Sequence, residues 1–285
     1  MHANMTARDF KKAAVIGYPV AQSLSPLLHD HWMREAGING QYEALEVAPD
    51  ALAAFVKNAA REGYVGFNVT VPHKTAILPM LDTVAPLARQ MGAVNTVKIS
   101  DDGKLTGFNT DGIGFLKHLK ASAPGVDLTK PALILGAGGA ARAATAALLT
   151  ENIPLLMIAN RTRAKAEAIV RDIGRGRMTA LDWDDRSDAV SAAGLIINTT
   201  VLGMTGQNPL ELELSSAGKG TVVYDIVYKP LETELLKSAK AHGLTVVDGL
   251  GMLVHQGAAA FKIWFGKDAA YDAALKKKLL EALGC

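Results

Sequence analysis

The chain of 285 residues holds a single cysteine, and it is the last residue, Cys285. That excludes an internal disulfide and a Cys-rich zinc site, and a cysteine nucleophile is not expected. No apolar run reaches the roughly 18 residues needed to cross a bilayer. The N-terminal stretch MHANMTARDFKK lacks the apolar core of a secretory signal. Charge of one sign is also lacking: 30 Lys and Arg stand against 28 Asp and Glu, a formal balance of +2. Such a balance gives no general attraction to nucleic acid or an acidic membrane, so anion binding has to be local. There is no H-E-x-x-H pair and no plausible metal cluster, no G-x-S-x-G elbow, no internal repeat and no low-complexity segment. His29 and His31 are two apart on one expected helix and do not face each other; His73 and Lys74 are adjacent and diverge. The expectation is a cytoplasmic protein, monomer or homodimer, that takes a small molecule rather than a metal, a nucleic acid or a membrane.

Hydrophobic residues make up 49% of the chain and charged residues 20%, the composition of a folded protein. Short β-branched runs alternate with helical patterns almost throughout, which predicts an α/β fold with parallel sheets. In the first half, strands are expected at 13–17, 42–47 and 65–69, with helices at 26–36 and 51–61. A hairpin is expected for 94–99 and 104–107 around Asp102-Gly103. Residues 121–130 read as a linker or surface loop. A second series follows, with strands at 132–135, 155–159, 195–198, 221–226 and 244–247 and helices at 139–149, 163–173 and 231–242. This is the pattern of a doubly wound parallel sheet. Residues 252–285 read as helical and are expected to return to the first domain.

Residues 136–141 read GAGGAA, between the strand ALIL and the helix RAATAALL. This is G-x-G-x-x-A in the context a dinucleotide site needs. Gly136 permits the tight turn, Gly138 admits a pyrophosphate to the backbone, and Ala141 allows helix and sheet to pack closely. The helix start then offers amide donors and partial positive charge to phosphate. The next strand ends in Asn160, Arg161, Thr162 and Arg163, with no carboxylate to hold a free ribose hydroxyl. Two guanidiniums and a hydroxyl suit a 2′-phosphate, which favours NADP over NAD; otherwise both arginines are solvated helix-start residues.

Residues 68–74 read NVTVPHK. Asn68 and Thr70 alternate, so they share a side. Pro72 is expected to open a helix with Lys74 in its first turn. A cation there is disfavoured by the helix dipole, and that field favours proton release; on position alone Lys74 also fits an exposed surface lysine. Asp111, in GFNTDG, is either a partner for Lys74 or the N-cap of a helix at 113–119. Asn95 is either a satisfied core amide or a ligand contact. Ser23 and Ser25, before Pro26, form a natural carboxylate site at a helix start, or Ser25 simply caps that helix. Gln256 is an unexpected amide on an apolar helix, and Tyr228 ends a late strand.

In order along the chain, SLSP (23–26), NVTVPHK (68–74), Asn95 with GFNTDG, GAGGAAR (136–142), NRTRAK (160–165), and DIVYKP with DGLGMLVHQ closely resemble the shikimate dehydrogenase family, within the shikimate/quinate dehydrogenase superfamily. The resemblance implies NADP-dependent hydride transfer between 3-dehydroshikimate and shikimate in aromatic amino-acid biosynthesis. It implies that Lys74 and Asp111 are the catalytic pair. Ser23 and Ser25 would meet the substrate carboxylate, and Thr70, Asn95, Gln256 and Tyr228 would contact the rest of it. Cofactor contacts would come from Gly136, Ala137, Gly138, Gly139 and Ala140, from Asn160, Arg161, Thr162, Arg163 and Lys165, and from the backbone near Ile226 and Gly249. It also implies two α/β domains: a substrate-binding domain of residues 1–112 completed by the C-terminal helices of 249–285, and a Rossmann-like NADP domain of 113–248. Two departures are small: Thr200 replaces a common Ser, and Gly257 stands where Ala is common. A quinate or dual-specificity dehydrogenase is the nearest alternative; Ser25 and Arg161 argue against it. A non-catalytic NADP sensor of the same fold is disfavoured by the presence of Lys74 and Asp111.

Overall fold

The β-branched runs become the strands of two separate six-stranded sheets in the computed structural model. The structure describes residues 10–151 and 153–285; most of the N-terminal stretch whose composition was read above therefore lies outside it. The chain divides into two compact units, one of residues up to 110 together with 257–285, the other of 111–256.

In the first unit the strands are β1 (Lys11–Gly17), β2 (Gly40–Glu46), β3 (Tyr64–Val69), β4 (Thr83–Val84), β5 (Thr96–Ile99) and β6 (Leu105–Phe108), in the order β2-β1-β3-β5-β6-β4. The first three run parallel, while β5 and β6 form the expected antiparallel hairpin, with Ile99 opposite Leu105. Helices α1 (Ser25–Glu35), α2 (Leu52–Asn58) and the short α3 (Pro86–Met91) complete the N-terminal part. One face of the sheet carries a core built on Ile16, Leu52, Phe67, Ile77 and Val97.

The second unit opens with α4 (Asp111–Ser122), which takes up the start of the expected linker. It then builds β7 (Ala132–Leu135), α5 (Gly139–Thr150), β8 (Leu156–Ala159), α6 (Arg163–Ile173), β9 (Met178–Leu181), β10 (Leu195–Asn198), β11 (Val222–Asp225), α7 (Glu234–Ala241) and β12 (Thr245–Val247). All six strands are parallel, in the order β12-β11-β10-β7-β8-β9. The chain moves outward from β7 to β9, then restarts on the other side of β7 at β10. That reversal is the topological switch point where open α/β sheets bind ligands, beyond the carboxyl ends of the strands.

The C-terminal segment splits into α8 (Leu250–Phe265) and α9 (Ala273–Leu283). Gly266 takes a left-handed φ of 67° that ends α8, and Asp272 caps α9 by accepting from the Leu275 amide at 2.7 Å. The end of α8 belongs to the first unit. Trp264 donates through Nε1 to the Val97 carbonyl at 2.9 Å, in room left by Gly66, where a Cβ would lie 2.2 Å from that nitrogen. Gly257 has an equally local reason. An alanine methyl there would sit 2.7 Å from Leu28 Cδ2 and 3.3 Å from the Trp32 ring, so this chain's own bulk on α1 takes the space.

Candidate active site

The first unit brings Ser23, Ser25, Thr70, Lys74 and Asn95 to the carboxyl ends of β1 and β3 and the start of β5. Ser25 is the first residue of α1, not its cap. The cap position is Leu24, whose side chain makes no cap hydrogen bond, and Ser25 is buried. Ser23 Oγ accepts from the Ser25 amide at 3.2 Å, which leaves its hydroxyl hydrogen free to point at an anion. Thr70 closes over the end of β1, where a Cβ at Gly17 would lie 2.4 Å from its methyl group.

The helix expected from Pro72 does not form. Residues 71–77 make turns, with a 3-10 turn at Leu78–Met80. The reason is tertiary: the Lys74 carbonyl accepts from the Val94 amide at 2.8 Å instead of from the next helical turn, and the His73 ring is held on the Val47 carbonyl at 2.6 Å. Pro72 has no amide to offer. No α-helix dipole therefore acts on Lys74 from this segment.

A buried polar network runs behind these residues. Ser25 lies within hydrogen-bonding reach of the Tyr42 hydroxyl. Tyr42 donates to Asn68 Oδ1 at 2.7 Å, and Asn68 Nδ2 donates to Thr96 Oγ1 and to the Asn95 carbonyl at 3.0 and 3.1 Å. Thr96 Oγ1 donates to Asn95 Oδ1 at 2.9 Å, which also accepts from the Thr110 amide at 2.7 Å. Asn95 Nδ2 donates to Thr110 Oγ1 at 2.9 Å. Asn95 is thus a satisfied core amide that holds the chain at Thr110. His29 stacks on Tyr42 with ring centres 4.1 Å apart, and complete burial drives it down to about 3, so it is neutral.

The second unit contains Asp111, Tyr228, Gln256 and the glycine loop. Asp111 is the first residue of α4 and is buried; it does not stand outside the helix as a cap. On the same face, Gly114 meets α8: a Cβ there would lie 2.7 Å from Gln256 N and Cβ. Gln256 donates back to the Leu253 carbonyl at 2.9 Å.

Gly136 ends β7 with φ 108°, and a Cβ would meet Thr199 Oγ1 at 2.7 Å. No L side chain suits that turn. At Gly138, the residue before α5, a Cβ would meet nothing within 4 Å. Its protein surroundings do not require glycine, so the bare backbone there leaves a cradle open to a ligand at a helix start. Ala141 is fully buried, as close packing of helix on sheet demands. Gly249 presses on the end of β11, where a Cβ would lie 2.1 Å from the Ile226 carbonyl oxygen.

At the end of β8 the two arginines differ. Arg163 is bound at 2.9 Å to Glu167 and at 2.5 Å to Asp182, which hold its guanidinium well above the usual range, Asp182 foremost. Arg161 is exposed and has no side-chain partner among the described residues. Asn160 donates to the Thr162 carbonyl at 2.9 Å, and the Thr162 hydroxyl does not cap α6.

Sequence reasoning missed one buried carboxylate. Asp225, at the end of β11, is pushed up to about 6 by burial, against the hydrogen bonds it receives from the Val227 amide, Thr233 Oγ1 and Asn198 Nδ2. It ties the loop after β10 to the loop after β11. An acid inside the apolar run VVYDIV was the available signal.

A parallel sheet with its switch point at a glycine-turned helix start, and a basic strand end without a carboxylate for the ribose, define an NADP-dependent oxidoreductase. Family models agree with the order of the blocks. Residues 15–97 match a shikimate dehydrogenase substrate-binding domain, 121–213 a shikimate/quinate 5-dehydrogenase domain, and 249–277 a shikimate 5′-dehydrogenase C-terminal domain. The shikimate dehydrogenase (NADP(+)) of Paramagnetospirillum magneticum is 46% identical over 90% of this chain and 92% of its own. The Thermus thermophilus shikimate 5-dehydrogenase, solved with NADP(H) and shikimate, has a TM-score of 0.85 at 38% identity, covering 95% of this chain and 99% of its own. A quinate dehydrogenase of Corynebacterium glutamicum, solved with NAD, also has a TM-score of 0.85, at 31% identity over 96% and 99% of the two chains. The chain belongs to the shikimate dehydrogenase family.

Proposed function

We propose that the chain interconverts 3-dehydroshikimate and shikimate, with NADP held by the second unit, substrate held mainly by the first, and Lys74 and Asp111 as the proton-handling pair. The observation that supports the pairing is that two adjacent residues, Val94 and Asn95, hold the chain at Lys74 and at Thr110, the last residue of the first unit's N-terminal part. The Lys74 carbonyl is bonded to the Val94 amide, and Thr110, the neighbour of Asp111, is bonded through its amide to the Asn95 side chain.

Each residue's part follows from its chemistry. Ser23, with Ser25 at the open start of α1, holds the substrate carboxylate. That fixes the ring before reaction and converts binding into proximity. Thr70, Asn95, Gln256 and Tyr228 border the rest of the substrate. Lys74 Nζ passes a proton to the C3 carbonyl oxygen as it becomes a hydroxyl, and takes it back in the reverse direction. Asp111 holds a substrate hydroxyl and orients the amine. The open backbone at Gly138 and its neighbours Gly136, Ala137, Gly139 and Ala140 hold the pyrophosphate. Arg161, with Thr162, Asn160, Arg163 and Lys165 around it, faces the 2′-phosphate; Ile226 and Gly249 offer backbone to the nicotinamide half. When bound, NADPH supplies the hydride that reaches the carbonyl carbon. The enzyme works in the cytoplasm, as a monomer or homodimer. Among the described residues no helix is long and apolar enough to cross a membrane.

Lys74→Ala is expected to lower kcat by about three orders of magnitude while shikimate binding by calorimetry stays within a few-fold. Turnover within a few-fold of the parent would remove Lys74 from the proton role. Comparing kcat/KM for shikimate and quinate, each with NADP and NAD, separates this reading from a quinate dehydrogenase, because the relevant folds superpose equally well.

A further inference from the structure

Within the second unit, a buried polar pair lies where α4, β11 and α8 meet. Tyr224 on β11 is fully buried, and its hydroxyl lies 2.9 Å from His118 Nδ1 on α4. The rings meet edge to face with centres 5.6 Å apart, and Phe115 stacks on the other side of Tyr224 at 5.0 Å and 16°. Burial pushes the tyrosine well above its ordinary range and His118 down to about 4, so both are neutral. The phenol hydrogen needs an acceptor, and Nδ1 is the one in reach. Tyr224 therefore donates, and the imidazole carries its hydrogen on Nε2.

The same histidine sits against α8. A Cβ on Gly251 would lie 2.1 Å from His118 Cδ2, and one on Gly114 would lie 2.7 Å from Gln256 N. His118 thus meets the early part of α8 and Gly114 meets Gln256, so the two helices run in opposite directions through the contact. Asp111, Gly114, Phe115 and His118 share one face of α4, since they are spaced by three, four and seven positions. Rolling α4 about its axis swings His118 and Asp111 together. The charged and titratable groups facing His118 are Asp248, the residue that caps α8 through the Leu250 amide at 2.8 Å, and His255, with ring centres 6.3 Å apart.

A phenylalanine against a leucine would fill this corner without burying two polar groups, and apolar replacement of both partners is nearly neutral for stability. What the pair adds is direction. We propose that the Tyr224–His118 hydrogen bond is a positioning device: it sets the roll of α4 against α8 and so aims Asp111 relative to Gln256. This rests on the reading that Asp111 and Gln256 face the substrate. His118 and Tyr224 are positioning residues and touch no substrate.

The test is steady-state kinetics with thermal melting on the full chain. Tyr224→Phe keeps the stacked ring and removes only the donor. It is expected to lower kcat about tenfold and raise KM for shikimate about threefold, with NADP affinity within about twofold and Tm within about 4 °C. His118→Asn keeps an acceptor in place of Nδ1 and is expected to retain at least about half the activity, whereas His118→Leu matches Tyr224→Phe. Combining His118→Asn with Tyr224→Phe abolishes that rescue. The proposal is overturned if Tyr224→Phe keeps kcat within about twofold, if NADP affinity falls in step with kcat, if Tm drops further than stated, or if the asparagine and leucine variants are alike. Asp111→Asn separates the two failures. If it is inactive while Tyr224→Phe is fully active, only the positioning idea falls; if Asp111→Asn is fully active, the underlying reading of the site falls first.

Discussion

The two units build their candidate sites in opposite ways. In the second, the cradle proposed for the cofactor is made by what is missing. Gly136, Gly138 and Gly249 bring bare backbone to the carboxyl ends of parallel strands, and little side chain intrudes. In the first, the site is made by what is present. Serine, tyrosine, asparagine and threonine side chains satisfy one another in a buried chain from Ser25 to Thr110. A backbone cradle fails when atoms are added to it. A side-chain network fails when atoms are removed, because each buried partner left behind loses its hydrogen bond. The damage also differs in kind: added atoms block a ligand, whereas removed atoms weaken the fold itself.

The largest break in that comparison is expected at Asn68. Asn68→Ala leaves the Tyr42 hydroxyl without its acceptor, withdraws a donor from Thr96 and from the Asn95 carbonyl, and opens a small cavity in the core of the first unit. The expected cost is about 2–4 kcal/mol, read as a Tm lower by roughly 5–10 °C and a raised KM for shikimate. NADP affinity, carried by the other unit, is expected to stay within about twofold. A parallel tenfold loss of NADP binding would show that the two halves are not independent.

Adding atoms gives a smaller effect in free energy but a cleaner one. Gly138 has φ −89° and ψ −170°, a conformation open to alanine, and its Cβ would meet no protein atom within 4 Å. Gly138→Ala is therefore expected to leave Tm unchanged or slightly higher while weakening NADP at least about tenfold, or about 1.4 kcal/mol, by fluorescence titration. Unaltered NADP binding would mean that the pyrophosphate does not lie on that backbone.

The comparison also explains what could be read from the residues alone. Parallel strands buried on both faces write themselves as apolar runs, such as ALIL, LMIA and LIIN, and the glycine loop lies between two of the strongest elements. Two of the four edge strands do not. The two residues of β4 and the half-buried β9 carry no such run, and both were missed. The Tyr42–Asn68 bond joins residues 26 positions apart, and nothing in the local pattern of β2 announces it. The helix expected at Pro72 shows the same limit. Proline at a first helical position and proline in a turn look alike until the acceptor of the Val94 amide is known to be the Lys74 carbonyl. Asn95 could be singled out because a polar residue interrupted a buried strand; that it binds Thr110 rather than only a ligand required the fold.

The smallest expected effect is that of Arg163, one of the two arginines after β8 that sequence reading offered as phosphate ligands. Arg163 already holds Glu167 and Asp182, whereas Arg161 has no side-chain partner among the described residues. A guanidinium held by two carboxylates has little charge left to offer a phosphate, while an unpaired one contributes a charge-assisted hydrogen bond. Arg161→Ala is expected to weaken NADP by about 1.5–3 kcal/mol, roughly ten- to a hundredfold. Arg163→Ala is expected to weaken it less than about threefold, since breaking exposed ion pairs has little effect. With NAD as cofactor both variants should match the parent, because only the 2′-phosphate distinguishes the two dinucleotides there. If Arg163→Ala proves the more damaging for NADP, the Asp182 and Glu167 contacts must exchange for phosphate on binding, and the second unit's site would then depend on side chains as the first unit's does.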